Sequence, residues 1–197
     1  MAATLAAEAS CRPADLRAGE VRLFKLAPGW RDEPLRRRFR LPDDSLAITT
    51  MGSGVIVSAT ARWMGWATDL FRDADPDDTF SPRLLGEASR RVSRHRYRLH
   101  GPLLYSITSS QDWRPHDAPA GYAVELGGAD LVEPLDKADW PNAISPMVPV
   151  GGRRIAAAAV ATRLGRVVGV AATSTDSDTL WQIGIDVASG HRARGLG

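Results

Sequence analysis

The chain is poor in several things whose absence narrows what it can be. Among 197 residues only Cys11 is a cysteine, so no disulfide can close within the chain and no thiolate cluster can hold a metal, a usage that suits a reducing compartment. Lysine is nearly missing too: Lys plus Arg reaches 25 against 23 Asp plus Glu, yet only Lys25 and Lys137 are lysines. The positive charge is therefore almost wholly guanidinium, which stays ionised and can fork two hydrogen bonds onto a phosphate or carboxylate. The longest apolar run, Ile155 to Ala161, is far below the roughly 18 residues of a membrane span. The opening MAATLAAEASC has no positive n-region and carries Glu8 in its apolar stretch, unlike an export signal, so a cytoplasmic protein is expected. Neither a Gly-Lys-Ser/Thr phosphate loop nor a G-x-G-x-x-G fingerprint occurs, which argues against a nucleotide-phosphate binder.

What is present reads as an α+β protein. Residues 1–18 read as a mobile leader, followed by a strand at Val21–Leu26 that Ala27-Pro28-Gly29 ends. The densest basic run, Arg36-Arg37-Arg38-Phe39-Arg40, is flanked by Asp32, Glu33, Asp43 and Asp44 and reads as a solvated face rather than a nucleic-acid contact. SLAITT and VIVSAT, joined by Met51-Gly52-Ser53-Gly54, predict a β-hairpin. Trp63, Trp66, Ala67, Leu70 and Phe71 fall at helical spacing, as do Leu84, Leu85, Ala88 and Val92 in a second helix that also bears Arg90, Arg91, Arg94, Arg96 and Arg98. His95 and His100 lack partners at metal-ligand spacing, so no metal is expected. LLYSIT and the YAVELGG region read as further strands. The proline-rich DWPNAISPMVPVGG reads as a linker, placing the domain boundary at 145/146, with an N-terminal α+β domain over 19–145.

The last fifty residues carry the chemistry. IAAAAVATRLGRVVGVAATS predicts an antiparallel hairpin, and LWQIGIDV alternates strictly, with Trp181, Ile183, Ile185 and Val187 on one face and Gln182, Gly184 and Asp186 on the other. That strand leads into HRARGLG. Glycines there let backbone N–H groups converge on one point, Arg192 and Arg194 add fixed positive charge, and His191 adds a donor if protonated, which together describe a phosphate cradle.

The stretch Ile155–Gly197, ending in Arg192-Ala193-Arg194-Gly195-Leu196-Gly197, resembles the GNAT acyltransferase superfamily and its Gln/Arg-x-x-Gly-x-Gly/Ala signature. The resemblance implies that 146–197 is the first part of a GNAT domain with a mainly antiparallel sheet, and that 19–145 could be a degenerate GNAT-like half. It implies acetyl-CoA as co-substrate, with the strand end Val187, Ala188 and Ser189 facing pantetheine and Arg192, Ala193, Arg194, Gly195, Leu196 and Gly197 facing the pyrophosphate. An amine acceptor, small molecule or protein, would attack the thioester directly. Of Gln182 and Asp186, only Asp186 can take a proton, which makes it the candidate general base. The helix and later elements that complete the family's site would lie past Gly197, so the chain as given is expected to have little or no activity by itself. A membrane or nucleic-acid partner is not expected, and a homodimer is allowed. The rival function is a non-catalytic module that binds acidic partners or nucleic acid through its arginine-rich surfaces.

Overall fold

In the computed structural model the first unit is organised around β3 (Val55–Ala59), whose five residues are all buried. It is the central strand of a three-stranded sheet, with β1 (Val21–Lys25) parallel on one side and β2 (Leu46–Thr50) antiparallel on the other. A strand covered on both faces needs a continuous apolar run rather than alternation, which Val-Ile-Val supplies. Ile56 packs against α1 (Ala2–Ala9) through Ala6 and Ala9 and against Leu16. Val55 and Val57 meet α2 (Ala61–Phe71) and α3 (Pro82–Ser93) through Ala67, Phe71, Leu84 and Ala88. The predicted β2–β3 hairpin is present, closed where the Thr50 hydroxyl donates to the Gly54 carbonyl at 2.7 Å and accepts from Gly52 N at 3.0 Å. The structure described here comprises residues 1–27, 33–37, 44–104, 111, 114, 116–144 and 154–196. Among them no helix is long and apolar enough to cross a membrane.

Two expectations for this unit are corrected. Residues read as a mobile leader form α1, because their small apolar side chains cover Ile56. The second helix starts as anticipated, with Pro82 in its first turn and Ser81 Oγ accepting from Leu84 N at 3.3 Å, but stops at Ser93 rather than running to Arg98. There Arg96 turns left-handed at φ 64, Tyr97 N donates back to the Val92 carbonyl, and the Tyr97 ring meets Trp63 edge-on at 5.5 Å. With the chain turned at Arg96 and the half-buried Tyr97 ring set against Trp63, Arg94, Arg96 and Arg98 do not extend one helical face. The expected LLYSIT strand falls mostly outside the described residues, as do Arg38, Phe39 and Arg40; Arg36 is buried.

Asp15 ties the start of this unit together. Although its side chain is almost fully buried, it accepts from Arg12 N at 2.8 Å, from the Arg12 guanidinium at 3.1 and 3.2 Å, and from Arg22 at 2.6 Å. The Arg12 guanidinium and backbone, with Arg22, outweigh desolvation and lower its pKa to about 2. A folded pKa below the unfolded value of about 3.9 stabilises the protein above that value, and the stabilisation is lost as pH falls through about 2. Urea midpoints of wild type and Asp15→Asn should therefore differ most above pH ~4 and draw together as pH falls through ~2; a constant difference would exclude this linkage.

The second unit is an antiparallel sheet ordered β4 (Ala123–Gly127), β5 (Ile155–Arg163), β6 (Arg166–Thr175), β7 (Trp181–Val187). Alternation puts Ala158, Val160, Val170 and Ala172 on one face, where Val132, Trp140, Ala143 and Ile144 cover them. The opposite face carries the row Leu126, Ala159, Ala171 and Ile185. Compact units divide the chain as Met1–Arg36 with Leu41–Gln111, and Arg37–Arg40 with Asp112–Gly197, rather than at 145/146. The physical reason is that β4 pairs with β5 from before the proline-rich stretch, and that Trp140, Ala143 and Ile144 of that stretch are core residues. Its remainder, 145–152, lies outside the described residues.

Candidate functional site

Antiparallel pairing brings the start of β4, the end of β5, the start of β6 and the end of β7 to one end of the sheet, and the arginine–glycine loop leaves β7 there. Ala188 N still donates to the Val168 carbonyl at 2.9 Å, after which a single turn over Ser189–His191 closes with His191 N on the Ala188 carbonyl at 2.8 Å. Arg192 Nε donates back to the Val187 carbonyl at 3.0 Å. Ala193 and Gly195 are left-handed, at φ 57 and 78. For alanine that conformation costs on the order of 1 kcal/mol, a local strain that the loop sustains. Ser189, Gly190, Arg192, Ala193, Arg194 and Gly195 are exposed, whereas Val187, Ala188 and Leu196 are half-buried. A Cβ on Gly190 would meet nothing within 4 Å, so the backbone is open to close approach there. No carboxylate occurs from Val187 to Leu196. Gly197, the last residue of the expected pyrophosphate loop, lies outside the described residues.

Three residues missed in the sequence stand beside this loop. Tyr122, just before β4, has its hydroxyl 3.0 Å from His191 Nδ1, and the two rings meet edge-on at 5.7 Å. Arg163, at the end of β5, holds its guanidinium over the Tyr122 ring at 5.4 Å. Pro119 lies next to the site of a Gly195 Cβ, at 3.7 Å. An isolated tyrosine before a strand gives no periodic signal, and only the pairing of β4 with β5 brings it to the loop.

Asp186 was expected as general base, but the structure shows it occupied. Its carboxylate accepts from Asn142 N at 2.7 Å, Asn142 Nδ2 at 2.7 Å and Ala143 N at 2.8 Å. Burial raises its pKa, yet the hydrogen bonds from Ala143 and Asn142, with Arg192 nearby, lower it on balance. A carboxylate held below its ordinary pKa by three donors is a weak proton acceptor and a good strap. The alternation predicted for β7 is real, but the inward face is the opposite of what hydrophobicity suggests: Trp181, Ile183 and Ile185 are 57, 60 and 44 % exposed. Gly184 and Asp186 instead face Asn142–Ala143, which approaches so closely that a Cβ on Gly184 would lie 1.9 Å from the Asn142 carbonyl oxygen.

No family model, curated protein or solved structure matches the chain.

Several arginines of the first unit are partly committed. Glu87 accepts from Arg90 at 2.6 Å and Arg91 at 3.2 Å, and Arg62 donates to Asp44 at 2.7 Å while its guanidinium lies over Trp63 at 5.1 Å. Paired this way, they present less unbalanced charge to a polyanion than their number suggests. Burial, reinforced by Asp15, raises the pKa of the Cys11 thiol and so disfavours its reactive thiolate. Among the described residues, no three His, Cys, Asp or Glu side chains converge.

Proposed function

We propose that the second unit carries the coenzyme-binding end of an N-acetyltransferase. The observation that supports this most is the exposed loop at the end of β7, left-handed at Ala193 and Gly195, bearing Arg192 and Arg194, and free of carboxylates. Such a loop suits a diphosphate: backbone N–H groups can converge on an anion, and two guanidinium groups can balance its charge. In this reading Val187, Ala188 and Ser189 lie along pantetheine, while Arg192 to Gly197 hold the pyrophosphate. Bound acetyl-CoA supplies an acyl group activated as a thioester, and the acceptor is an amine on a small molecule or protein. Asp186 contributes by fixing the strand that presents the loop, and the acceptor amine loses its proton to another group.

Calorimetric titration with CoA, dephospho-CoA and pantetheine tests this reading. The two diphosphate ligands should bind and pantetheine should bind far more weakly. Arg192→Ala and Arg194→Ala should each reduce CoA affinity about tenfold, the worth of a hydrogen bond to a charged group. Equal affinity for CoA and pantetheine, or an Arg192→Ala/Arg194→Ala double variant that binds like wild type, would overturn the proposal. Tight, steeply salt-dependent binding of a polynucleotide without any response to CoA would favour the arginine-surface module instead.

A further inference from the structure

We propose that Tyr122 is a positioning residue for the coenzyme loop: it sets the tautomer of His191 so that the imidazole offers a neutral N–H donor at Nε2 to an anion held there. The inference rests on the acetyl-CoA reading for the identity of that anion, but its structural half stands on geometry alone. Tyr122 Oη lies 3.0 Å from His191 Nδ1, and only one hydrogen can occupy that line. Either the phenol donates to a bare Nδ1, or Nδ1–H donates to the phenol oxygen.

The Arg163 guanidinium, 5.4 Å from the ring centre, selects the first arrangement. A cation over a phenol draws electron density from the oxygen, which strengthens O–H as a donor and weakens oxygen as an acceptor. With Nδ1 accepting, the single imidazole hydrogen of neutral His191 sits on Nε2. Nε2 is the ring nitrogen the phenol does not engage, and His191 ends the turn that the exposed Arg192 and Arg194 follow in the chain. The edge-on packing at 5.7 Å restrains the ring, so the donor is oriented before a ligand arrives. Tyr122 itself need not touch the ligand, since its effect passes through His191.

Long-range ¹H–¹⁵N correlation spectra of the ¹⁵N-labelled chain above pH 8 report the tautomer directly. A His191 signal with unprotonated Nδ1 and protonated Nε2 is expected in wild type, and the opposite pattern would overturn the inference whether or not CoA binds. Tyr122→Phe keeps the ring and removes the donor, so the spectrum should shift towards a tautomer mixture. CoA affinity should fall about three- to tenfold, in the range of one hydrogen bond, with amide-exchange protection of β5–β7 nearly unchanged. His191→Gln retains an N–H near the Nε2 position and should keep most of the affinity, whereas His191→Asn, whose amide reaches only the Nδ1 position, should lose it. Introducing Tyr122→Phe into His191→Gln should then cause no further loss. Equal affinities for His191→Gln and His191→Asn, or a large additional loss from Tyr122→Phe in the Gln background, would show that Tyr122 acts on the fold and not through the imidazole. Failure of wild type to bind CoA would refute the acetyl-CoA reading and with it the anion-donor half, while the tautomer measurement would still decide the structural half.

Discussion

Replacing Gly184 by alanine should abolish the native packing of the second unit. The added Cβ would sit 1.9 Å from the Asn142 carbonyl oxygen, 2.7 Å from its carbonyl carbon and 3.2 Å from Ala143 Cα. All three are backbone atoms, so no side-chain rotation relieves the clash. Nor can the segment move away cheaply, since Asp186 holds Asn142 and Ala143 by three hydrogen bonds and Ala143 and Ile144 are buried against the sheet. Overpacking of a core typically costs about 1–3 kcal/mol. A collision this close with a pinned backbone segment should fall at or above the upper end, roughly 3 kcal/mol or more, a large share of a domain's stability of about 5–15 kcal/mol. Because the chain has two units, a single melting curve is a poor measure. Backbone amide exchange is better: protection in β5, β6 and β7 should collapse while that in β3 persists. Gly190→Ala, whose Cβ meets nothing within 4 Å, is the control and should change stability by less than about 0.5 kcal/mol. Unchanged protection of β7 in Gly184→Ala would mean that Asn142–Ala143 does not lie against this strand in solution.

That glycine also marks where sequence reasoning stopped. The hairpin of β5 and β6 was legible because Leu164 and Gly165, both at positive φ, make a tight reversal between two apolar runs. The alternation of β7 was legible for the same kind of local reason. Alternation says that a strand has two faces, but not which one is covered. Here Asn142–Ala143, more than forty residues upstream, packs against the Gly184 and Asp186 face, so Trp181, Ile183 and Ile185 are left exposed. The α+β class was readable from local patterns, whereas the unit division depended on β4 pairing across the proline-rich stretch. The same asymmetry holds at the site. Arg192, Arg194 and Gly195 announce themselves by type and spacing, but Tyr122 and Arg163 become neighbours of the loop only through β4–β5 pairing and the crossing of the loop towards Pro119.

Substituting Asp186 separates a strap from a base. If the carboxylate removed the acceptor's proton, Asp186→Asn would fold normally and lose turnover alone. The geometry predicts the reverse order of effects. Asp186→Ala leaves the Asn142 and Ala143 amides without their acceptor; Asn142 can turn to water, but Ala143 N is partly buried, so a loss of about 2 kcal/mol is expected. Asp186→Asn should cost somewhat less, because one oxygen remains while its amide NH₂ faces other donors. The contribution should also follow pH. Asp186 has a folded pKa below its unfolded value of about 3.9, so its stabilisation is complete above that range and is lost as pH falls through the lowered folded value. Wild-type and Asp186→Asn unfolding midpoints, followed by a probe in β7, should accordingly differ at neutral pH and draw together in acid. CoA affinity supplies the second axis: because Asp186 positions the strand from which Val187 and Ala188 lead into the loop, binding should weaken in step with local stability. An Asp186→Asn protein with wild-type stability and wild-type CoA affinity would remove the strap from the mechanism.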